Sequence, residues 1–259
     1  MDIYRVAALR DERAEVLRFC AQLSEPQWRS DSAAAGWRVQ DVVAHMGASC
    51  RALFTPAALT LVRTDDIESA NDTFVDRRRN LTPQQVLSEY ERWSAWVIRL
   101  ARVVSKTPMA GIRSSLGELG RFRLDRMLTS ALVFDTHTHL RHDIASSLGL
   151  PAPSTDANRM AVVLEWMLAV LGNQLRAAPT TVPGAVRLVL TGPGGGEWVI
   201  GPDGAITAGR DGDAVAVIRG AALDFPSWAT TRSDWRAGDL VLDGDIEAAT
   251  RFLDAMDIV

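Results

Sequence analysis

The chain has 259 residues, of which 47% are hydrophobic and 23% are charged, a composition typical of a globular protein with a sizeable core. Its formal net charge of -4 and its pI near 5.6 give no electrostatic reason to expect nucleic acid as a partner. No run of about 18 apolar residues is present, so we expect no membrane partner. Charged residues interrupt every candidate signal peptide near the start, and two cysteines make no disulfide framework, which together favour the cytoplasm.

Helical periodicity dominates the first 150 residues and predicts four long amphipathic helices. We expect these helices at about residues 3–24, 39–53, 82–104 and 123–148. Thr82 can cap the third helix and Pro83 suits its first turn, while Gly149 and Pro151 end the fourth. Four such helices in succession predict a helical bundle over residues 1–150.

The remainder of the chain changes character after a linker at residues 151–156. We expect a helix at about 156–177, strands at 185–190, 197–200, 214–219 and 239–242, and a last helix at about 245–256. The glycine run at 192–196 lacks the lysine and hydroxyl residue of a phosphate loop, so it is interpreted as a hairpin turn. Further turns are expected at 202–204 and at Asp211-Gly212. The pattern predicts a small α+β domain over residues 156–259, and α+β as the fold class of the whole chain.

The chain has only four histidines: His45 stands alone, and His137, His139 and His142 lie close together. On a helix with 100° per residue, Asp135 and His139 are separated by about 40° and one turn, and His142 lies about 20° to the other side. This arc continues the apolar stripe of the fourth helix. A carboxylate and two imidazoles therefore point into the bundle, where they are costly to bury unless they are paired or bound to something.

Imidazole and carboxylate groups are the natural ligands of a divalent transition metal such as zinc. His45 lies at the edge of the apolar face of the second helix, from where it can approach the same space. His45, Asp135 and His139 then supply three ligands and leave an open position for water or substrate, the arrangement of a catalytic metal site. The alternative is an Asp135–His139 ion pair, or a histidine bonded to a backbone carbonyl, without any metal.

Neighbouring polar residues have several possible roles. His137 points away from the arc, and we expect it at the surface. His142 is either a partner that orients a ligand or an additional ligand, and Asp143 is expected to face solvent or to cap an arginine. Asp41, one turn before His45, either orients the His45 ring or is favoured by the dipole at the start of its helix, and we prefer the second interpretation.

Two of these segments resemble a known family. Residues Gly36-Trp37-Arg38-Val39-Gln40-Asp41-Val42-Val43-Ala44-His45-Met46 resemble the "GWTVxDVxAHL" segment of the mycothiol-dependent maleylpyruvate isomerase family, which belongs to the DinB-like metal-binding four-helix bundles. Asp135-Thr136-His137-Thr138-His139 resembles the acid-x3-His segment of its fourth helix. The resemblance covers the first 150 residues. It extends more weakly to residues 185–259, which are similar to the family's sterol-carrier-protein-like C-terminal domain.

Carried over by position, the resemblance makes His45, Asp135 and His139 the ligands of a divalent metal, usually zinc with nickel as the second choice. It also implies mycothiol, in an actinobacterial host, as a thiol cosubstrate, and it matches Arg232 to an arginine that serves the substrate. The chain departs from the family where Asp135 stands in place of a glutamate and in the spacing to the following aspartate. The identity of the substrate does not follow from the resemblance.

Three functions remain open from the sequence. The first is a metal-dependent enzyme in which a coordinated mycothiol thiolate attacks a small-molecule substrate, as an isomerase or a transferase. The second is a non-catalytic module that binds a small molecule or a partner on the same bundle. The third is a metallohydrolase whose open position carries activated water. We expect a monomer or a homodimer, and we interpret Cys50 as core packing rather than as a nucleophile.

Overall fold

The computed structural model describes residues 3–178, 184–210 and 212–258. The chain divides into two compact units, Met1–Ser154 and Thr155–Val259, and the division falls inside the segment expected to be a linker. The first unit is mainly helical and the second combines a sheet with helices, so the predicted α+β fold class is confirmed. Within the described ranges, no helix is both long enough and apolar enough to cross a bilayer.

In its described residues the first unit contains eight α-helices, a short hairpin, a 3-10 turn and a π-helical segment. The helices are α1 Ile3–Cys20, α2 Glu25–Arg29, α3 Val39–Ala52, α4 Ala57–Arg63, α5 Ile67–Asp76, α6 Pro83–Val104, α7 Leu124–Met127 and α8 Ser130–Thr138. The 3-10 turn is Pro108–Gly111, the hairpin pairs β1 Arg113–Ser115 with β2 Arg121–Arg123, and the π-helical segment is His139–Ala145. Helix α3 packs against α6 and α8, and α1 packs against α6 and α8, which makes these four helices the bundle.

The second and third predicted helices are confirmed as α3 and α6. The predicted cap of α6 is present, because the Thr82 side chain accepts the Gln85 N–H and the Gln85 side chain accepts the Thr82 N–H. The first predicted helix ends at Cys20, and not near residue 24, because Ser24 instead begins α2, with Pro26 in the first turn of that helix.

The prediction of one continuous fourth helix over residues 123–148 was wrong. The segment enters as strand β2, forms the single turn α7, and leaves helical geometry at Thr129, whose φ and ψ are -129° and -72°. The Thr129 hydroxyl there donates to the Asp125 carbonyl. After α8 the turns widen, and the Ser146 N–H donates to the Arg141 carbonyl five residues back. The spacing of apolar residues indicates which face of a helix is buried. It does not reveal the break at Thr129 or the change to π-helical hydrogen bonding after α8.

Helices α4 and α5 and the hairpin were not predicted from the sequence. None of the residues of α4 is buried, and α5 buries only Ala70, Phe74 and Val75. Short elements with so few buried positions carry little periodic signal, so local capping is the better guide. At the start of α5, for example, the Asp66 carboxylate accepts the Ser69 N–H at 2.8 Å.

The second unit is a sheet with flanking helices. Its described elements are α9 Ala157–Ala177, β3 Val186–Thr191, β4 Gly196–Ile200, β5 Ile206–Ala208, β6 Ala216–Ala221, α10 Phe225–Ala229, a 3-10 turn Trp235–Ala237, β7 Val241–Gly244 and α11 Ile246–Asp254. The strand order is β5-β4-β3-β6-β7, in which β3 and β6 are parallel and all other neighbours are antiparallel. All four predicted strands and both predicted helices are present with small shifts, whereas β5 and α10 were missed.

The glycine run between β3 and β4 forms a hairpin turn, as predicted. Leu190 pairs with Gly196 across the two strands, and Gly194 has a φ of +70°, a left-handed conformation that glycine adopts without steric cost. The turn predicted at Asp211-Gly212 lies partly outside the described residues, since Asp211 is not among them.

Candidate metal centre

Helix α3 carries His45 into the bundle. His45 is buried with 4% of its surface exposed, on a helix that is enclosed over most of its length. The start of α3 is fixed by Asp41, whose carboxylate accepts the Arg38 N–H and two guanidinium N–H groups of the same residue at 2.9–3.0 Å. Arg79 approaches this carboxylate at 3.6 Å. The Asp41 carboxylate is therefore paired with two arginines at the N-terminus of α3.

Burial acts to raise the pKa of Asp41, but the hydrogen bonds and positive charges of Arg38 and Arg79 outweigh it, so the pKa lies below its usual value. The Asp41 carboxylate consequently stays ionised and holds the first turn of α3 in place.

The last turn of α8 and the first residue of the π-helical segment provide the other two members of the site. Asp135 Oδ1 lies 3.0 Å from His45 Nε2 and 3.5 Å from His139 Nε2. One ligand atom from each of the three residues lies within 4.8 Å of the other two. The imidazole rings of His45 and His139 meet edge to face, with 4.9 Å between their centroids. The structure thus brings together the three residues that the sequence singled out.

These distances suit a single metal ion. Four-coordinate zinc binds nitrogen and oxygen ligands at about 2.0–2.1 Å, so two ligands of one tetrahedral ion are about 3.3 Å apart. The two separations at Asp135 Oδ1 bracket that value. Three protein ligands leave one position of a tetrahedron open.

Two further atoms of this group bear on whether a cation fits. His45 Nδ1 and Asp135 Oδ2 are both buried and have no hydrogen-bond partner among the residues that the structure describes. Leaving a buried polar atom unsatisfied costs about 1–3 kcal/mol, and more when the group is charged. Protein hydrogen bonds therefore do not saturate Asp135, and the capacity that remains on its carboxylate is what a cation can use.

The electrostatics of the metal-free site also fit cation binding. Burial raises the pKa of Asp135, but the neighbouring His45 and His139 outweigh it and hold that pKa well below its usual range. For His139, burial lowers the pKa, whereas hydrogen bonds to Asp135 and Asp143 raise it more strongly, to about 9. Without metal the site is an ionised carboxylate beside a protonated imidazole. A divalent cation has to displace that proton.

Asp143 is the residue whose role the sequence analysis missed. It was expected to face solvent or to cap an arginine, and this was wrong: its side chain is 1% exposed and its Oδ2 accepts a hydrogen bond from His139 Nδ1 at 2.6 Å. The signal that could have revealed it is the repeat of one spacing, since Asp135, His139 and Asp143 follow each other at intervals of four. Only the Asp135–His139 half of that pattern was used.

The expectation that His137 lies at the surface was also wrong, because it is 1% exposed. Helix α8 contacts α1 as well as α3, so the side of the helix that faces away from the site is buried too. His142 lies on the π-helical segment and is half-buried. It is not in the group of three whose ligand atoms come together.

A tryptophan lies against the two candidate imidazole ligands. The Trp37 ring centroid is 5.1 Å from that of His45 and 6.4 Å from that of His139. Its Nε1–H donates to Asp72 on α5 at 2.8 Å, which fixes the indole over the site. In the sequence Trp37 was noted only as part of the segment 36–46 that resembles the family. In the structure it provides an apolar wall beside the ligands.

The other candidate residues, Arg232 and the two cysteines, are not part of this group of three. Arg232 is an exposed residue of the second unit, between α10 and β7, and it donates to the Thr230 hydroxyl at 2.9 Å. Cys20 and Cys50 are both free and buried. Burial raises the pKa of Cys20 to about 12 and raises that of Cys50 as well, so neither thiol is a ready nucleophile at neutral pH.

Comparison with known proteins identifies related domains. Residues 9–141 match the family described as mycothiol maleylpyruvate isomerase N-terminal domain. Two crystal structures, of the mycothiol-dependent maleylpyruvate isomerase and of a histidine-to-alanine mutant of it, have TM-scores of 0.58 and 0.59 at 14% identity. In both cases the match covers 94% of this chain and 93% of the other. At this identity the likeness concerns the fold.

A sterol carrier protein 2 like 2 from Aedes aegypti matches 38% of this chain and 98% of its own, with 15% identity and a TM-score of 0.33. No curated protein matches the chain by sequence.

Proposed function

The chain belongs to the mycothiol maleylpyruvate isomerase N-terminal domain family, and from this premise we propose that it is a divalent-metal-dependent enzyme that uses mycothiol as a thiol cosubstrate. The reaction class that we propose is isomerisation or transfer on a small electrophilic substrate. The main support for this proposal is that His45, Asp135 and His139 lie close together, with one ligand atom of each within 4.8 Å of the other two.

Each residue has a defined part in this proposal. His45 and His139 offer neutral imidazole nitrogens, and Asp135 offers a carboxylate oxygen, to a zinc or nickel ion. When bound, such an ion stabilises a thiolate at its open position and so makes the thiol a nucleophile at neutral pH. Trp37 excludes water from one side of the ligands, because its indole packs on both imidazole rings. Arg232 of the second unit is proposed to pair with an anionic group of the substrate or of the thiol.

The proposal is tested first by metal content. The purified full-length chain is expected to contain, or to take up, close to one equivalent of zinc or nickel. Alanine variants of His45, Asp135 and His139 should lose that metal. His137→Ala is the matched control, because it removes a buried histidine of the same helix that is not in the group, and it should retain the metal. Uptake by all four variants alike would exclude the site.

The use of a thiol needs a separate measurement. A cobalt-substituted protein should change its visible absorption spectrum when mycothiol is added, because a thiolate entering the coordination sphere alters the ligand field. A cobalt protein that ignores mycothiol but hydrolyses esters or amides would favour the metallohydrolase. A chain that is fully stable and binds ligands without metal would favour the non-catalytic module.

Three further expectations stay predictions. They are the cytoplasmic location, the actinobacterial host and the assembly state of monomer or homodimer. The free cysteines at positions 20 and 50 are compatible with a reducing compartment.

A further inference from the structure

The two imidazoles of the candidate site have different surroundings at their second nitrogen. His139 directs Nε2 towards Asp135 and Nδ1 towards Asp143, at 3.5 and 2.6 Å. His45 directs Nε2 towards Asp135, but its Nδ1 is buried without a hydrogen-bond partner in the described part of the chain. The site is therefore asymmetric, with a carboxylate behind one imidazole only.

The contact with Asp143 defines the His139 tautomer. A carboxylate accepts and cannot donate, so the proton of this hydrogen bond belongs to His139 Nδ1. Nε2, on the opposite side of the ring, is then the atom that is left for a cation. Hydrogen-bonded carboxylates of this kind orient metal-binding histidines and make them stronger donors.

Asp143 is held firmly from its backbone as well. It lies inside the π-helical segment, and its carbonyl accepts the Ala33 N–H at 3.0 Å, which ties this segment to the loop before α3. The guanidinium of the nearby Arg141 is held by Glu12 of α1 with two hydrogen bonds of 3.0 and 3.1 Å. The loop and α1 thus fix the segment that aims the Asp143 carboxylate at His139.

The hydrogen bond between Asp143 and His139 also places a second negative charge near the metal site. Asp135 alone leaves a bound divalent cation with one uncompensated positive charge, whereas Asp135 and Asp143 together carry two negative charges. Asp41 does not contribute in the same way, because its carboxylate is already paired with Arg38 and Arg79. Among these three aspartates, only Asp143 reaches the site through a ligand.

We propose that Asp143 is a positioning residue of the metal site, which fixes His139 as the Nδ1–H tautomer and strengthens its Nε2 as a ligand. The inference rests on the proposed metal-binding function. From the sequence, an orienting role had been considered for Asp41, towards the His45 ring, and for His142, but not for Asp143.

The test compares Asp143→Asn with Asp41→Asn in the full-length chain. Asparagine keeps an oxygen that can accept the Nδ1–H bond and removes only the charge. Zinc affinity, measured by competition with a chromogenic chelator, is expected to fall about 10–100-fold in Asp143→Asn. In Asp41→Asn it should stay within about 2-fold, the usual size of effects from residues that do not contact the site, because the asparagine oxygen can still accept the Arg38 N–H that fixes the start of α3. Cobalt-substituted Asp143→Asn should also show a shifted visible band, which a loss of general stability alone does not produce.

A measurement on the unmutated protein covers the case in which Asp143→Asn does not fold. In the zinc-loaded chain, nitrogen-15 NMR of the histidine side chains should show His139 with a proton on Nδ1 and none on Nε2. Coordination through Nδ1, or a zinc affinity of Asp143→Asn equal to that of the wild type, overturns the role of Asp143 and leaves the metal site standing. A wild-type chain that binds no zinc overturns the metal site itself and this role together.

Discussion

His45 Nε2 lies 3.0 Å from Asp135 Oδ1 across a separation of 90 residues, and this contact joins α3 to α8 at the centre of the first unit. The two groups support each other, because the carboxylate is ionised and the imidazole donates to it. The same pair forms two of the three corners of the candidate metal site. Stability without metal and affinity for metal therefore depend on the same atoms.

The first prediction concerns this pair. In metal-free protein, His45→Ala should lower the free energy of unfolding by about 1.5–3 kcal/mol, the usual contribution of a hydrogen bond to a charged group. A double-mutant cycle with Asp135→Ala, followed by urea denaturation in the presence of a chelator, isolates the pairwise part. Zinc should raise the melting temperature of the wild type and not that of His45→Ala. Additive single and double variants would show that the contact contributes nothing.

The second prediction concerns pH. Because the pKa of His139 is raised to about 9 in the metal-free protein, one proton has to leave for each ion bound below that pH. The zinc dissociation constant should therefore fall about tenfold per pH unit between about pH 7 and 9, and then level off. Competition titrations, corrected for protonation of the chelator, measure this slope. A dissociation constant that does not change over this interval would contradict it.

The same pKa has the opposite effect on the metal-free fold. A histidine whose folded pKa is raised contributes stability that is complete below its unfolded pKa of about 6.5. That stability is lost as the pH rises through about 9. The unfolding free energy of the apo protein should thus decrease over the interval in which zinc affinity increases, and chelator-treated samples in urea can show this.

The third prediction uses Trp37 as a reporter. Its ring centroid lies 5.1 Å from that of His45, so cobalt bound at the site should quench its fluorescence strongly. Trp37→Phe should remove most of the cobalt-dependent quenching, although seven of the eight tryptophans remain. Trp96→Phe is the matched control, since Trp96 is 47% exposed on α6, and it should leave the quenching intact. Equal quenching in both variants would place the cobalt elsewhere.

Sequence reasoning was most successful where a local rule and burial agree. Thr82 and Pro83 marked the start of α6, and apolar spacing carried the prediction to the end of that helix. The three candidate ligands were found because histidine is scarce here and because an acid four residues before His139 shares its helical face. The pairing with His45 was inferred from its position near an apolar face, without knowledge of how α3 and α8 pack.

What could not be predicted depends on contacts distant in sequence or on changes within a helix. The burial of His137 requires α1 to cover the second side of α8, and no local pattern records that packing. The π-helical segment is held by hydrogen bonds from the Arg141 guanidinium to Glu12, Pro153 and Ser154. The spacing of apolar residues does not predict any of these hydrogen bonds. Asp143 was misplaced for a different reason, since its spacing of four from His139 was present in the sequence and was not used.

The last prediction concerns the ion pair that holds this segment. Glu12 is fully buried and Arg141 is 6% exposed, and their two hydrogen bonds join α1 to the turn between His139 and Asp143. Glu12→Ala leaves a buried guanidinium without its counter-charge, which typically costs about 3–5 kcal/mol. Urea denaturation of the metal-free chain measures this loss.

The matched control for Glu12 is Glu91→Ala. Its carboxylate is 61% exposed and lies 3.8 Å from Arg13, so its removal should cost no more than about 1 kcal/mol. Because the Glu12 variant also frees the segment that carries His139 and Asp143, it should bind zinc more weakly even under conditions in which it remains folded. A Glu12→Ala protein with unchanged zinc affinity would show that the segment keeps its shape without the Glu12 carboxylate, through its contacts with Ala33, Pro153 and Ser154.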